Sequence, residues 1–177
     1  MSSTFVWYVA RAGGLVSYVL LATTVMWGTA LAARAFRARP GLPWVSALHE
    51  WLGVLALTFL AVHIGALLLD TYVRFTPVEV LVPFAAKWHP GAVAWGVIGL
   101  YLMLAVHLSA RFRGKLPKRY RPLWKKAHLA SYPLFGVATV HLLTAGTDRG
   151  TFAVSLAVAV IVTAVLVAIG KFRIAVA

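Results

Sequence analysis

The chain has 177 residues, 62% of them hydrophobic and only 12% charged, with a mean hydropathy of +0.86; that composition excludes an ordinary soluble domain and puts the membrane class first. It has no Cys, which excludes a disulfide framework, a thiolate metal site and a Cys-attached haem. The formal net charge of +13 would suit nucleic acid in a polar chain, but here loop charge that sets membrane topology accounts for it, and no nucleic-acid partner is expected.

A bilayer-spanning helix needs about 20 apolar residues, and five segments qualify. The first covers residues 5–33. The N-terminal MSSTFVWYVARAGG has no basic stretch ahead of its apolar run, so it reads as a retained helix and not a cleaved signal. Arg11 lies within this span, a costly position unless it is paired. Arg34, Arg37 and Arg39 follow in the first loop. The second span covers 44–69, with Pro43 at the first helical position, where a missing N–H is tolerated. The next loop balances Asp70 and Glu79 against Arg74 and Lys87. Its segment PVEVLVPFAA (77–86) is too short to cross and is expected to form an interfacial or cap element.

Pro90 starts the third span, 91–110. The loop after it, RFRGKLPKRYRPLWKK, carries eight basic residues and no acid. Pro122 precedes the fourth span, 123–145. The turn GTDRG has one charge of each sign, and the fifth span, 152–170, is followed by Lys171 and Arg173. The positive-inside rule then predicts one all-α integral membrane bundle over residues 1–177, with five spans, the N-terminus outside and the C-terminus inside. Trp7, Tyr8, Trp44, Trp88, Trp124 and Tyr132 fall near span ends, as an aromatic belt would.

Histidines carry the functional signal. The second and fourth spans run in the same direction. One bears His49 near its inner end and His63 near its outer end; the other bears His128 and His141 in the same order. The steps of 14 and 13 residues are about 21 and 20 Å of helix, so His49 matches His128 in depth and His63 matches His141. Two levels of paired imidazoles suit two flat cofactors stacked across one bilayer. Neutral imidazole is a common axial ligand of haem iron. At 100° per residue, fourteen steps return to within about 40° of the starting face, with Gly53 and Ala56 near that face. Small residues there leave room for a macrocycle and equally suit helix packing. Thirteen steps leave His128 and His141 about 140° apart on an ideal helix. A local tightening or bend is therefore predicted around SYPLFG, where Pro133 and Gly136 interrupt the helix.

His107 lies at about the depth of His49 and is expected near the inner pair as a supporting group or a competing ligand. His89, in KWHPG, is expected to be a solvated loop residue. Glu50 would orient His49, pair with an Arg or reach water. Arg11 suits an outer haem propionate, and Arg34, Arg37, Lys125 and Lys126 suit the inner ones, their plain alternative being topology alone. Any single histidine could instead bond a backbone carbonyl or join a proton relay.

LHEWLGVLALTFLAVH, WKKAHLASYPLFGVATVHLLTAGTD and RAGGLVSYVLL together resemble the ferric-reductase-like transmembrane domain superfamily, which includes ferric reductases, NADPH oxidases and the haem subunit of a methionine sulfoxide reductase system. The resemblance covers roughly residues 7–148. It implies two b-type haems with His49, His63, His128 and His141 as the axial ligands of their iron, and electron transfer from a cytoplasmic donor to an acceptor at the outer face. No glycine-rich nucleotide fingerprint occurs in the sequence, so a separate flavoprotein reductase or a membrane quinol is the expected donor. The expected role is the haem-binding membrane subunit of an oxidoreductase, in contact with membrane lipid, in a plasma membrane of bacterial type. Two rival readings carry no haem: a histidine-relay proton channel or transporter, and an assembly subunit active only in a complex.

Overall fold

The computed structural model describes residues 3–33, 43–115 and 117–146. These residues contain no strand. Helices α1 (Ser3–Ala32), α2 (Pro43–Leu69) and α4 (Pro90–Arg111) are long and apolar enough to cross a membrane. A short α3 (Pro77–Leu81) joins α2 to α4. Two 3-10 turns, Arg113–Lys115 and Lys118–Tyr120, lead to α5 (Arg121–His128) and α6 (Ser131–Ala145). The fifth predicted span, together with Arg34, Arg37, Arg39, Lys171 and Arg173, lies outside the described residues.

The stretch predicted as one span over 123–145 is two helices. The cause is local. Pro133 has no N–H for the Leu129 carbonyl, and the Tyr132 N–H takes that carbonyl instead at 3.1 Å. Leu129 and Ala130 likewise bond three residues back, to Lys126 and Ala127, at 3.1 and 3.0 Å. Each residue tightened in this way advances about 120° and not about 100°, which moves the His128-to-His141 offset toward closure. Pro133 itself sits in the first turn of α6, where an N–H has no intrahelical partner anyway. Gly136 faces open space and is not needed for the break.

Cross-helix bonds fix the relative directions. Ser17 Oγ donates to the Ala56 carbonyl at 2.9 Å, and Trp27 Nε1 to the Val45 carbonyl at 2.8 Å, so α1 and α2 are antiparallel. Tyr18 meets Thr139 at 2.8 Å and Tyr132 meets Thr29 at 2.9 Å, so α6 also opposes α1 and runs with α2. Thr139 and Thr29 each donate to a carbonyl four residues back, of Phe135 and Val25. Each threonine proton is thus committed, and the two tyrosines are the donors. Buried polar links of this kind hold helices together where lipid gives no hydrophobic drive between them.

Tyr18, Leu21, Ala22, Val25, Ala56, Met103, Leu134 and Phe135 form the central core, with Tyr18 stacked on Phe135 at 5.5 Å. Ala56 is completely buried, and a side chain at Gly53 would meet Thr24 at 4.0 Å. Both therefore serve α1–α2 packing, the second of the two roles expected for them. Trp51, Leu55, Val62 and Leu69 of α2 face outward, an arrangement suited to lipid and costly in water.

A cap covers one end of the bundle. Asp70 accepts the backbone N–H groups of Tyr72 and Val73, at 3.4 and 3.1 Å. Thr76 and Glu79 form a reciprocal capping box that starts α3. Glu79 also accepts from Lys87 N at 3.0 Å, and Tyr101 Oη ties the Leu81 carbonyl to α4 at 2.7 Å. Phe75, Val80, Ala86, Val93 and Val97 pack beneath these bonds.

Candidate functional site

His49 and His63 lie on α2, His141 lies on the co-directional α6 and His128 ends α5, and the four meet at two levels. His63 and His141 have ring centroids 6.4 Å apart with planes at 75°. His49 and His128 are 6.1 Å apart at 71°. No hydrogen bond joins the rings of either pair. A metal ion between two imidazoles separates their centroids by about 6 Å, from two metal–nitrogen bonds of about 2 Å each and the two ring radii. Both pairs stand at that separation. Among the described residues no group of three or more His, Asp or Glu side chains comes together, so the histidines stand as two pairs and not as a closed tetrahedral cage.

The 63/141 level is the more fully built. His63 Nδ1 lies 2.7 Å from the Ala10 carbonyl and His141 Nδ1 lies 2.8 Å from the Ala92 carbonyl. A carbonyl only accepts, so each Nδ1 carries the proton and each neutral ring presents a bare Nε2. Metal-bound histidines are oriented by the same type of bond. Beside this pair lies a cavity of about 290 Å³ lined by Arg11, Gly14, Phe75, Trp88 and Gly96, among others. The Arg11 guanidinium stacks over Trp7 at 5.1 Å, so the cation expected in the first span borders this space.

The 49/128 level is built differently. Nδ1 of His49 and Nδ1 of His128 are both buried without a hydrogen bond, as is Trp124 Nε1. The Thr24 backbone lies near the His49 ring, but His49 Nδ1 makes no hydrogen bond to it. Trp124 lies 5.5 Å from the His128 ring, and Arg113 lies 5.8 Å above Trp124. Trp124 therefore lies against the histidine pair and does not act solely as a belt residue. Glu50 pairs with Arg113 at 2.6 Å. Both side chains are about half exposed, so this pair contributes little to stability.

His107 is half-buried on α4 and makes no ring contact or hydrogen bond with His49 or His128. His89 is exposed, in left-handed backbone (φ 42°), and its ring edges against Trp88 at 4.4 Å. Lys125 and Lys126 are exposed on α5.

Sequence reasoning missed three glycines. A Cβ on Gly14 would lie 2.9 Å from His63 Nδ1, one on Gly28 2.8 Å from His49 Cε1, and one on Gly96 2.7 Å from His141 Cε1. The signal was present, because Gly14 and Gly28 are fourteen residues apart on α1, the same step as His49 to His63 on α2. No family model, curated protein or solved structure matches the chain.

Proposed function

We propose that the chain is the membrane subunit of a di-haem cytochrome b that relays electrons across a bilayer. The observation that carries this reading is the pair of histidine clamps, with ring centroids 6.1 and 6.4 Å apart, between α2 and the successive helices α5 and α6. Bound haem would supply one-electron redox chemistry. His63 and His141 would hold one group, and His49 and His128 the other. The carbonyls of Ala10 and Ala92 keep Nδ1 protonated, so Nε2 of both rings at the 63/141 level stays free for iron. Arg11 would neutralise a propionate there. The core of Tyr18, Phe135 and Met103 would lie between the two groups.

In this reading the chain has five spans, with the 63/141 level and its cap at the outer face and the 49/128 level at the inner face. The donor, a cytoplasmic flavoprotein or a membrane quinol, would then stand on the 49/128 side and the external acceptor on the 63/141 side. The exposed Arg111, Arg113, Lys115, Arg119, Lys125 and Lys126 give the donor side a positive field that speeds the encounter with an acidic partner.

The test is a reduced-minus-oxidised spectrum with haem quantitation on purified protein. Two haems per chain are expected. His63→Ala or His141→Ala should remove one spectral component, and His49→Ala or His128→Ala the other. Near-perpendicular ligand planes leave two iron d orbitals almost degenerate, so strongly anisotropic low-spin ferric signals are expected. A spectrum unaltered by all four substitutions would end the assignment.

A further inference from the structure

In an α-helix the carbonyl of residue i accepts from the N–H of residue i+4. The side chain at i+4 leans toward the helix N-terminus, over that carbonyl. A glycine at i+4 removes the cover and leaves the second lone pair open to another donor. The two histidine–carbonyl bonds follow this rule. His63 bonds Ala10 with Gly14 four residues on, and His141 bonds Ala92 with Gly96 four residues on. His49 packs against Gly28 in the same close way, a Cβ there lying 2.8 Å from its Cε1, although its Nδ1 makes no hydrogen bond. Other helical glycines lack it: a Cβ on Gly65 or Gly136 meets nothing within 4 Å, and on Gly99 it meets Val137 at an ordinary 3.6 Å.

We infer that Gly14, Gly28 and Gly96 are positioning residues: each opens a backbone niche that seats one imidazole and aims its Nε2 at the metal position. His128 has no such niche. In the α4 register, fourteen residues beyond Ala92 and Gly96 come Val106 and Ala110, and the Val106 carbonyl already accepts from Ser109 Oγ at 2.8 Å. His128 is therefore the ligand held by packing alone.

This inference rests on the haem reading, and the experiment separates the two. Purified wild type, Gly14→Ala, Gly28→Ala and Gly96→Ala are compared with Gly65→Ala and Gly136→Ala, where an added Cβ meets nothing within 4 Å, for haem content, low-spin ferric resonance and midpoint potentials. In an ordinary helix interior Gly→Ala is favourable, so the two controls should match wild type. Gly14→Ala and Gly96→Ala should alter the 63/141 centre selectively, lowering its haem affinity on the order of 10–100-fold, as loss of a supporting ligand bond does. Gly28→Ala should alter the 49/128 centre instead. If one variant of the first pair does not fold, the other decides. Wild-type resonances and potentials in these variants would overturn the inference while leaving the haem reading intact. Equal loss of both centres in all three would also overturn it, because that is general packing failure. A colourless wild type would overturn the haem reading and the inference with it.

Discussion

The two histidine levels share a residue type, a ring separation and nearly the same interplanar angle, yet they are held differently. At the 63/141 level both Nδ1 atoms donate to carbonyls of packed helices, α1 and α4. At the 49/128 level both are buried without a hydrogen bond. The difference arises from backbone more than from side chains. Glycines bare two carbonyls at one level. At the other, His128 ends α5 just before the tightened turn. A ligand pair is thus defined by what its far nitrogens meet as much as by the gap between its rings.

The largest expected effect that would sharpen this contrast is ligand exchange. Carbon monoxide or added imidazole should bind the reduced or oxidised 49/128 centre at roughly fivefold lower concentration than the 63/141 centre, since one orienting hydrogen bond is worth about 1 kcal/mol. Titration of single-centre variants, His63→Ala against His128→Ala, measures this. Equal half-saturation would erase the distinction between the levels.

A smaller effect should be shared by both. Tyr18 donates to Thr139 in the layer between the levels, and buried bonds of this kind in membrane helices contribute about 0.6 kcal/mol. Tyr18→Phe should lower the denaturation midpoint slightly and leave the ratio of the two spectral components unchanged. A shift confined to one centre would show that this layer belongs to that site.

The smallest effect concerns the cap over the 63/141 level. The Thr76 backbone N–H, the Lys87 N–H and the Thr76 hydroxyl hold the Glu79 carboxyl below the ordinary glutamate range. Glu79 is buried, and its dehydration opposes the shift without overcoming the hydrogen bonds. A depressed folded pKa means the stabilisation is present above the unfolded value, about 4.3, and is lost as pH falls through the folded value. Glu79→Gln should therefore speed amide exchange at Thr76 and Lys87 near neutral pH, and the difference from wild type should shrink in acid. A difference that grew in acid would contradict the assignment.

Several features were legible in the residues alone because they follow from period and depth. Apolar length marked α1, α2 and α4 as helices that can cross a membrane. Prolines marked the starts of α2 and α4. The 14- and 13-residue steps put four imidazoles at two matching heights, since helical rise converts sequence distance into depth. The need for tightening between His128 and His141 was also visible as angular mismatch. The tightening was expected around SYPLFG and lies mostly just upstream, ending at Tyr132, because the N–H groups before Pro133 are the ones that turn to carbonyls three residues back.

Tertiary structure alone decided which groups stand behind the rings. Ala10 and Ala92 carry no side-chain signal for such a role, because their contribution is a main-chain carbonyl. Gly53 and Ala56 suited either room for a cofactor or helix packing in the sequence, and they lie on the face of α2 that meets α1. Helical period fixes a residue's height and its face on its own helix, whereas the partner across the gap is set by how separate helices pack, which no single helix encodes.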